Sequence, residues 1–416
     1  MKLSAHSILK MHPLQQRKEN EEEILIGRPD ISNFIILPAF AVEIIEMLDG
    51  GNTIEQVEEE MEQRFGEKVD VMSFADDLIN EYQFVHLLDN QVVNEKLDSK
   101  DHFSWISANT GKLLFNRTAY TVYGLIILSG IGVLIISSGK YFPVYSDIFI
   151  SSSLTLSLII AILMGWVFVF IHELAHLMSA RSLGIGSRIG LSHRLFFPVA
   201  ETNMSNIVLI PPQNRYRAYF AGMAWDGVFF SIGMWLLFFA DRGVIPLSPA
   251  GTSFIKILNL TFLETIAFQF MFFMRTDIYY AFTTKFQCNN LLENTQLFLH
   301  KLYRSLNDTE KAVWNTISPH EKNIIRWYSL FYVGGIVWAV FFFLAYNVRQ
   351  VIDFVLFTWE IMTTSSIGSW VFVDAVILIG LALLPFGVLL WSWYRTLKNR
   401  YQERKRKRVD QSSSFQ

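Results

Sequence analysis

Residues 148–177 read IFISSSLTLSLIIAILMGWVFVFIHELAHL, and this stretch decides both the fold class and the candidate chemistry. The run 148–171 contains no charged residue and is longer than the roughly 20 apolar residues that a helix needs to cross a bilayer. It ends in His172-Glu173-Leu174-Ala175-His176, the H-E-x-x-H pattern. Ionisable side chains in membrane helices are costly and rarely lack a role, so the pattern indicates a functional site.

The spacing of the two histidines explains why the pattern suits a metal. Residues four apart lie one above the other on a helix, so both imidazoles can reach the same ion. Glu173 lies beside them, where its carboxylate can accept a proton from an attacking water. The sequence therefore predicts His172 and His176 as zinc ligands and Glu173 as the catalytic general base. An inert polar cluster is the alternative, and His193 is an outside candidate for a further ligand.

The composition of the whole chain fits a membrane-embedded body that carries a soluble part. Of 416 residues, 51% are hydrophobic and 18% are charged, whereas soluble proteins have about 25% charged residues. The mean hydropathy of +0.30 is too high for a typical soluble enzyme and too low for a chain that lies entirely in lipid. The single cysteine, Cys288, excludes an intrachain disulfide and a cysteine-rich zinc site.

Six runs are long and apolar enough for membrane helices, so we expect a polytopic α-helical membrane protein with about six transmembrane helices. They are 118–139, 148–171, 218–240, 257–274, 327–348 and 375–394. Two runs contain one acidic residue each, Asp226 and Glu264. Residues 350–373 are apolar but interrupted by Asp353 and Glu360, which favours an interfacial or re-entrant segment.

The distribution of Lys and Arg among the loops predicts the orientation. Basic residues are frequent before the first run, between the second and third, between the fourth and fifth, and in the tail. The opposite loops hold few basic residues, among them Lys140, Arg242 and Arg349. The positive-inside rule then places both termini in the cytoplasm of a multi-pass cell-membrane protein. We interpret the basic tail as a topology signal that also contacts anionic lipid, and we expect no nucleic-acid partner.

The front of the chain is acidic and predicts a small soluble α+β domain. Residues 19–90 hold 19 Asp and Glu against three Lys and Arg, a balance of −16, so the net charge of −3 leaves about +13 for the remainder. The predicted elements are strands at 22–27 and 33–37, helices that begin at Pro38, Thr53 and Asp70, and a closing hairpin at 84–90. Thr53 and Gln56 form the pattern of a capping box.

This order of elements, over residues 21–100, resembles the PqqD-like winged-helix domains of peptide-modifying systems. Such domains bind the leader segment of a precursor peptide by adding it as a strand to a sheet edge. A DNA-binding winged helix and a simple packing domain are the alternatives. The balance of −16 would repel DNA phosphates and would favour a basic peptide, so the charge supports peptide binding on the cytoplasmic side.

A catalytic zinc ion usually has three protein ligands, so a third ligand must come from another helix. Three acidic residues are candidates: Asp226, Glu264 and Asp277. If the fourth run continues as a helix to Asp277, this residue lies at the depth of the histidine pair. Glu264 then lies roughly 20 Å further out, and Asp226 roughly 12 Å from the cytoplasmic end of its own helix. Depth therefore favours Asp277 as the third ligand. The alternative is that Asp277 caps a helix or pairs with Arg275.

The metal motif and its surroundings resemble the site-2 protease family of intramembrane zinc metalloproteases over residues 118–300. The residues that carry this resemblance are His172-Glu173-Leu174-Ala175-His176, Ala180, Arg181 and Gly184. In that family an Asp on a later span is the third zinc ligand, and Asp277 matches it, with Ile278 in place of the usual glycine. Asp226 stands where an asparagine is often found. We expect Asp226 or Arg275 to orient a metal ligand or the substrate.

A PqqD-like front joined to such a core is similar to the peptide zinc metalloproteases of ribosomal-peptide biosynthesis. The resemblance implies a zinc metalloendopeptidase that removes the leader of a modified precursor peptide before export, with an exporter or a modifying enzyme as a further partner. A regulatory intramembrane protease that cleaves a transmembrane regulator is one alternative. A non-catalytic, zinc-containing membrane accessory or transport protein is the other.

The expected domain order follows from these runs and resemblances. It consists of an N-terminal arm at 1–20, the PqqD-like domain at 21–100, the protease-like core at 118–300, a cytoplasmic loop at 301–326, C-terminal transmembrane helices at 327–396 and a basic cytoplasmic tail at 397–416.

Overall fold

The computed structural model is mostly helical, with small sheets near the N-terminus. It describes residues 3–19, 21–66, 69–95, 101–148, 150–151, 153–194, 197–271, 273–288, 290–342, 344, 349–381 and single positions between 383 and 398. The chain forms two compact units. The first contains Met1–Leu114, Leu177–Arg188 and Thr202–Ala218, and the second contains Phe115–His176, Ile189–Glu201 and Tyr219–Gln416.

The N-terminal part of the first unit combines two three-stranded antiparallel sheets with three helices. The strands are β1 (Leu9–Met11), β2 (Gln15–Lys18), β3 (Glu23–Arg28), β4 (Asn33–Pro38), β5 (Val85–Leu88) and β6 (Gln91–Val92), and the helices are α1 (Ala39–Asp49), α2 (Ile54–Phe65) and α3 (Val71–Asn80). The sheet orders are β1-β5-β6 and β2-β3-β4. The predicted strands, helices and hairpin are present. The predicted arm at 1–20 contains β1 and β2, which pair with the later strands β5 and β3.

Side chains at the helix starts explain where these helices begin. The capping box is confirmed, since Thr53 Oγ1 accepts from the backbone N–H of Gln56 while Gln56 Oε1 accepts from that of Thr53. Asp70 caps α3 by accepting from the N–H of Ser73. The apolar faces of the three helices then meet the strands in one core that includes Leu48, Met61, Leu78 and Phe84. A side chain that satisfies a free N–H at a helix start contributes about 1 kcal/mol.

The rest of the chain is built from helices and one further hairpin. The helices are α4 (Ala108–Leu114), α5 (Arg117–Ile136), α6 (Leu154–Ser182), α7 (Pro212–Tyr219), α8 (Ala221–Asp241), α9 (Pro249–Gln269), α10 (Asp277–Phe286), α11 (Leu291–Tyr303), α12 (Asp308–Thr316), α13 (Pro319–Phe342), α14 (Arg349–Thr364) and α15 (Trp370–Leu381). Strands β7 (Arg188–Arg194) and β8 (Phe197–Asn203) pair with each other.

Four helices in the described part of the chain are long and apolar enough to cross a membrane. They are Arg117–Ile136, Thr155–Ser182, Ala221–Asp241 and Pro319–Phe341. This composition indicates a membrane protein. The second apolar run forms a helix from Leu154 onward, and a 3-10 turn at Tyr145–Ile148 precedes this helix. Parts of the sixth predicted run, and most of the basic tail at 397–416, lie outside the described residues.

The fourth predicted run is not one continuous helix. Helix α9 ends at Gln269, and Asp277 begins the separate helix α10, so the assumption that one helix carries Glu264 and Asp277 is wrong. The break is stabilised locally, because the Thr276 hydroxyl donates to the carbonyl oxygen of Gln269 at 2.9 Å. Hydropathy alone missed the break, since residues 270–274 are all apolar.

Most of the predicted cytoplasmic loop at 301–326 is helical. Asn307 and Glu310 form a reciprocal capping box that starts α12. Trp314 then packs with Ile317 and Leu306 in a second buried cluster, and α13 begins at Pro319, before the apolar run itself. The basic residues of this stretch therefore lie on a folded helical segment.

Candidate metal centre

Helix α6 brings the three residues of the H-E-x-x-H pattern together near its C-terminal end. His172, Glu173 and His176 are all buried, although the helix continues for a further turn and a half to Ser182. The two imidazole rings lie 4.8 Å apart, centre to centre, at 64°. Their Nε2 atoms are 3.1 Å apart. The helical spacing therefore places both nitrogens on one side of α6, as the sequence predicted.

Asp277 reaches this pair from the first turn of α10. Its Oδ2 atom lies 3.1 Å from Nε2 of His172 and 3.0 Å from Nε2 of His176. Three ligand atoms thus form a nearly equilateral triangle. The donors of a tetrahedral zinc ion, 2.0–2.1 Å from the metal, are about 3.3–3.4 Å apart. The triangle is close to that size, and two imidazole nitrogens with one carboxylate oxygen are a common catalytic zinc set, so these residues fit the ion.

Asp226 holds the other nitrogen of His172. Its Oδ2 atom is 2.7 Å from Nδ1, and the Asp226 side chain is only 1% exposed. A carboxylate accepts hydrogen bonds, so we assign the imidazole proton to Nδ1, which leaves the lone pair of Nε2 directed at the triangle. Carboxylates commonly orient metal-binding histidines in this way. Of the two roles expected for Asp226, the geometry matches the orientation of a metal ligand.

Gly222 lies one helical turn before Asp226 on α8 and lets His172 approach that helix. A β-carbon at Gly222 would lie 2.4 Å from Nε2 of His172, well inside van der Waals contact. The glycine is therefore required by the position of the imidazole. The sequence shows the glycine but not its neighbour on α6, His172.

Gln269 is a site residue that the sequence did not single out. Its Oε1 atom accepts from the backbone N–H of Asp277 at 3.0 Å, and its Nε2 atom lies 3.5 Å from Nε2 of His172. The buried amide thus fixes the first residue of α10 and faces the triangle. Its place at the end of an apparently continuous apolar run concealed this role.

The remaining candidates lie elsewhere. The guanidinium of Arg275 pairs with Glu293 on α11, and the expectation that Arg275 orients a metal ligand or the substrate stays a prediction. Glu264 lies in the middle of α9 and takes no part in the described hydrogen bonds of the cluster. The side chain of His193 lies outside the described part of the structure.

Among the described residues, His172, His176 and Asp277 form a group that could hold a metal ion. The chain matches no protein-family model, and neither a curated protein nor a solved structure is significantly similar to it. The argument for a function therefore depends on the chemistry of these side chains.

Proposed function

We propose that the chain is a membrane-embedded zinc metalloprotease that hydrolyses a peptide bond in a ribosomally made, modified precursor peptide and removes its leader before export. The observation that carries this proposal is the convergence of Nε2 of His172, Nε2 of His176 and Oδ2 of Asp277, with Glu173 between the two histidines in the sequence. The site-2 protease resemblance of the motif points to the same reaction.

The proposed mechanism divides the work among four side chains. His172, His176 and Asp277 would hold the ion, and a bound zinc ion would polarise the scissile carbonyl and lower the pKa of a water molecule toward neutrality. Glu173 accepts a proton from the attacking water and later donates it to the leaving amine. The burial of Glu173 keeps its carboxylate away from bulk water and close to the metal ligands.

The proposed topology has six spans and both termini in the cytoplasm. The spans are α5, α6, α8, α9, α13 and a helix that begins with α15. Helix α9 has 21 residues, or about 31 Å at helical rise, which is enough to cross the hydrocarbon layer. Two contacts connect helix ends that this topology places on the outer side of the membrane. Lys140 pairs with Asp241 at 2.6 Å, and the Ser153 hydroxyl donates to the Asp374 carboxylate at 2.8 Å.

The N-terminal domain is proposed to bind the precursor peptide at the edge of β4. The strand at the other edge of that sheet, β2, contacts another segment, because the Arg17 side chain donates to the carbonyl oxygen of Ile210 at 2.6 Å. No strand pairs with the outer side of β4 among the described residues. Ile36 and Phe40 are exposed near that edge, where they can contact apolar side chains of the peptide. The acidic balance of the domain favours a basic peptide.

Glu173→Gln tests the proposed reaction. The purified full-length chain in detergent or nanodiscs is incubated with the co-encoded precursor peptide, and the products are identified by mass spectrometry. We expect the wild type to cleave the peptide between leader and core. The variant should lose cleavage while keeping the same zinc content, because glutamine can replace the size of Glu173 but cannot accept the proton. Full activity in Glu173→Gln would exclude this mechanism.

The same assay separates the alternatives. Cleavage of a membrane-spanning peptide, with the precursor left intact, would identify a regulatory intramembrane protease. A wild type that binds zinc but cleaves neither peptide would identify a non-catalytic membrane accessory protein.

A further inference from the structure

The segment 101–114, which joins the N-terminal domain to α5, presents two large apolar side chains to its surroundings. Trp105 is 80% exposed and Leu113 is 72% exposed. Ile106 and Gly111 of the same segment are buried. The segment therefore has a buried inner side and a largely exposed outer side that carries Trp105 and Leu113. The rings of Phe103 and Trp105 form an edge-to-face pair within the segment. Exposed Trp and Leu side chains in one short segment favour a contact with another apolar phase.

The inner side is fixed to the end of α6, so the exposure of Trp105 and Leu113 is not a consequence of loose attachment. Arg181 donates to the carbonyl oxygens of Ile106 at 2.9 Å and of His102 at 2.5 Å. At Gly111 a β-carbon would lie only 2.5 Å from the carbonyl oxygen of Met178. These contacts hold the segment rigidly against the last turns of α6.

The chain link to α5 and the contacts with the end of α6 place this segment at the boundary of the apolar layer. Helix α5, a candidate membrane helix, begins at Arg117, only four residues after Leu113 and within about 14 Å of it even for an extended chain. Helix α6, to whose end the segment is attached, is the second candidate membrane helix. Lys112 and Arg117 flank Leu113 in the sequence. Tryptophan with nearby basic residues is typical of the membrane–water interface.

We propose that Trp105 and Leu113 insert into the headgroup–acyl boundary of the bilayer, on the side where α5 begins, while Lys112 and Arg117 contact the phosphates of anionic lipids. The partner of this surface is the lipid bilayer itself. Basic side chains are attracted to the surface of an anionic membrane, which matches the charges that flank Leu113. The contact fixes the linker in the membrane plane and steadies the end of the helix that carries the metal motif.

Depth-dependent fluorescence quenching tests this proposal on the full-length chain. Leu113→Cys is labelled with an environment-sensitive dye and reconstituted in nanodiscs of phosphatidylcholine with phosphatidylglycerol. The native Cys288 is fully buried, and burial raises the pKa of its thiol to about 12, so the dye labels the introduced cysteine. Leu128→Cys, exposed on α5, is the control inside the membrane, and Gln63→Cys, exposed on α2, is the control in the soluble domain.

We expect the dye at position 113 to emit at shorter wavelength than at position 63 and to be quenched by nitroxides attached near the lipid headgroup. At position 128 the strongest quenching should come from nitroxides deeper in the acyl chains. Lys112→Gln should weaken the quenching at position 113, and omission of phosphatidylglycerol should do the same. Emission and quenching at 113 equal to those at 63 would overturn the proposal. So would a blue-shifted emission without nitroxide quenching, because a protein partner would then cover the segment.

Discussion

Nδ1 of His172 lies 2.7 Å from Oδ2 of Asp226, and both side chains are almost completely buried within the second unit. The carboxylate fixes the ring and leaves Nε2 free to bind a metal. We expect Asp226→Asn to reduce zinc affinity by about 10–100-fold, measured by competition with a chromophoric chelator. Ser231→Ala, another buried polar position on α8, should leave the affinity unchanged. Equal losses in both variants would indicate a general packing role for Asp226.

Gly222→Ala should displace the imidazole of His172, because the new methyl group would lie 2.4 Å from Nε2. Overpacking of this kind costs about 1–3 kcal/mol, or roughly 5–150-fold in metal affinity. Gly227→Ala on the same helix is the matched control, since its methyl group would meet only the flexible end of Ile127 at 2.8 Å. Metal content after dialysis distinguishes the two variants, and full metal content in Gly222→Ala would contradict the geometry.

Gln269→Ala should loosen the start of α10, because the backbone N–H of Asp277 loses its acceptor. We expect a loss of roughly tenfold in zinc affinity, comparable to other changes around metal ligands. Thr265→Ala is the control one turn earlier on α9, where the hydroxyl donates to carbonyl oxygens of its own helix. Titration with zinc measures both variants. An affinity in Gln269→Ala equal to that of the control would show that α10 is held in place by other contacts.

Acid should destabilise the N-terminal domain through His12. Burial lowers the pKa of His12 below 6.5, the nearby Arg28 and His86 lower it further, and a hydrogen bond to Asn94 together with Asp30 opposes them. The unfolded chain therefore takes up this proton more readily. Above about pH 6.5 protonation of His12 has no effect on the free energy of unfolding of the domain. That free energy falls as the pH drops from there through the lowered pKa of His12 in the folded state.

Hydrogen exchange of β1 and β5 across this pH range measures the effect. His12→Gln keeps a donor toward the carbonyl oxygen of Asn94 but cannot titrate, so its exchange should depend less on pH than that of the wild type. The same pH dependence in both proteins would assign the effect to another group.

Local sequence was sufficient for features that depend on near neighbours. Thr53 and Gln56 predicted the start of α2, and the two histidines predicted a shared face of α6, because both patterns act within one helical turn. Hydropathy found the apolar helices but not their ends. It missed the break after Gln269. There the Gln269 side chain and the Thr276 hydroxyl make hydrogen bonds in place of the backbone bonds of a continuing helix.

Composition and spacing were enough to predict the apolar runs, the acidic front and the histidine pair. The choice of Asp277 came from the resemblance and from a depth argument that assumed one continuous helix, whereas α9 ends at Gln269. The tertiary structure decided how the centre is assembled. Asp226 and Asp277 lie 54 and 105 residues from His172 in the chain, and only the packing of α8 and α10 beside α6 brings their carboxylates to its two ring nitrogens. Spacing cannot encode such contacts, because they depend on where α9 ends and on how closely Gly222 lets the helices approach.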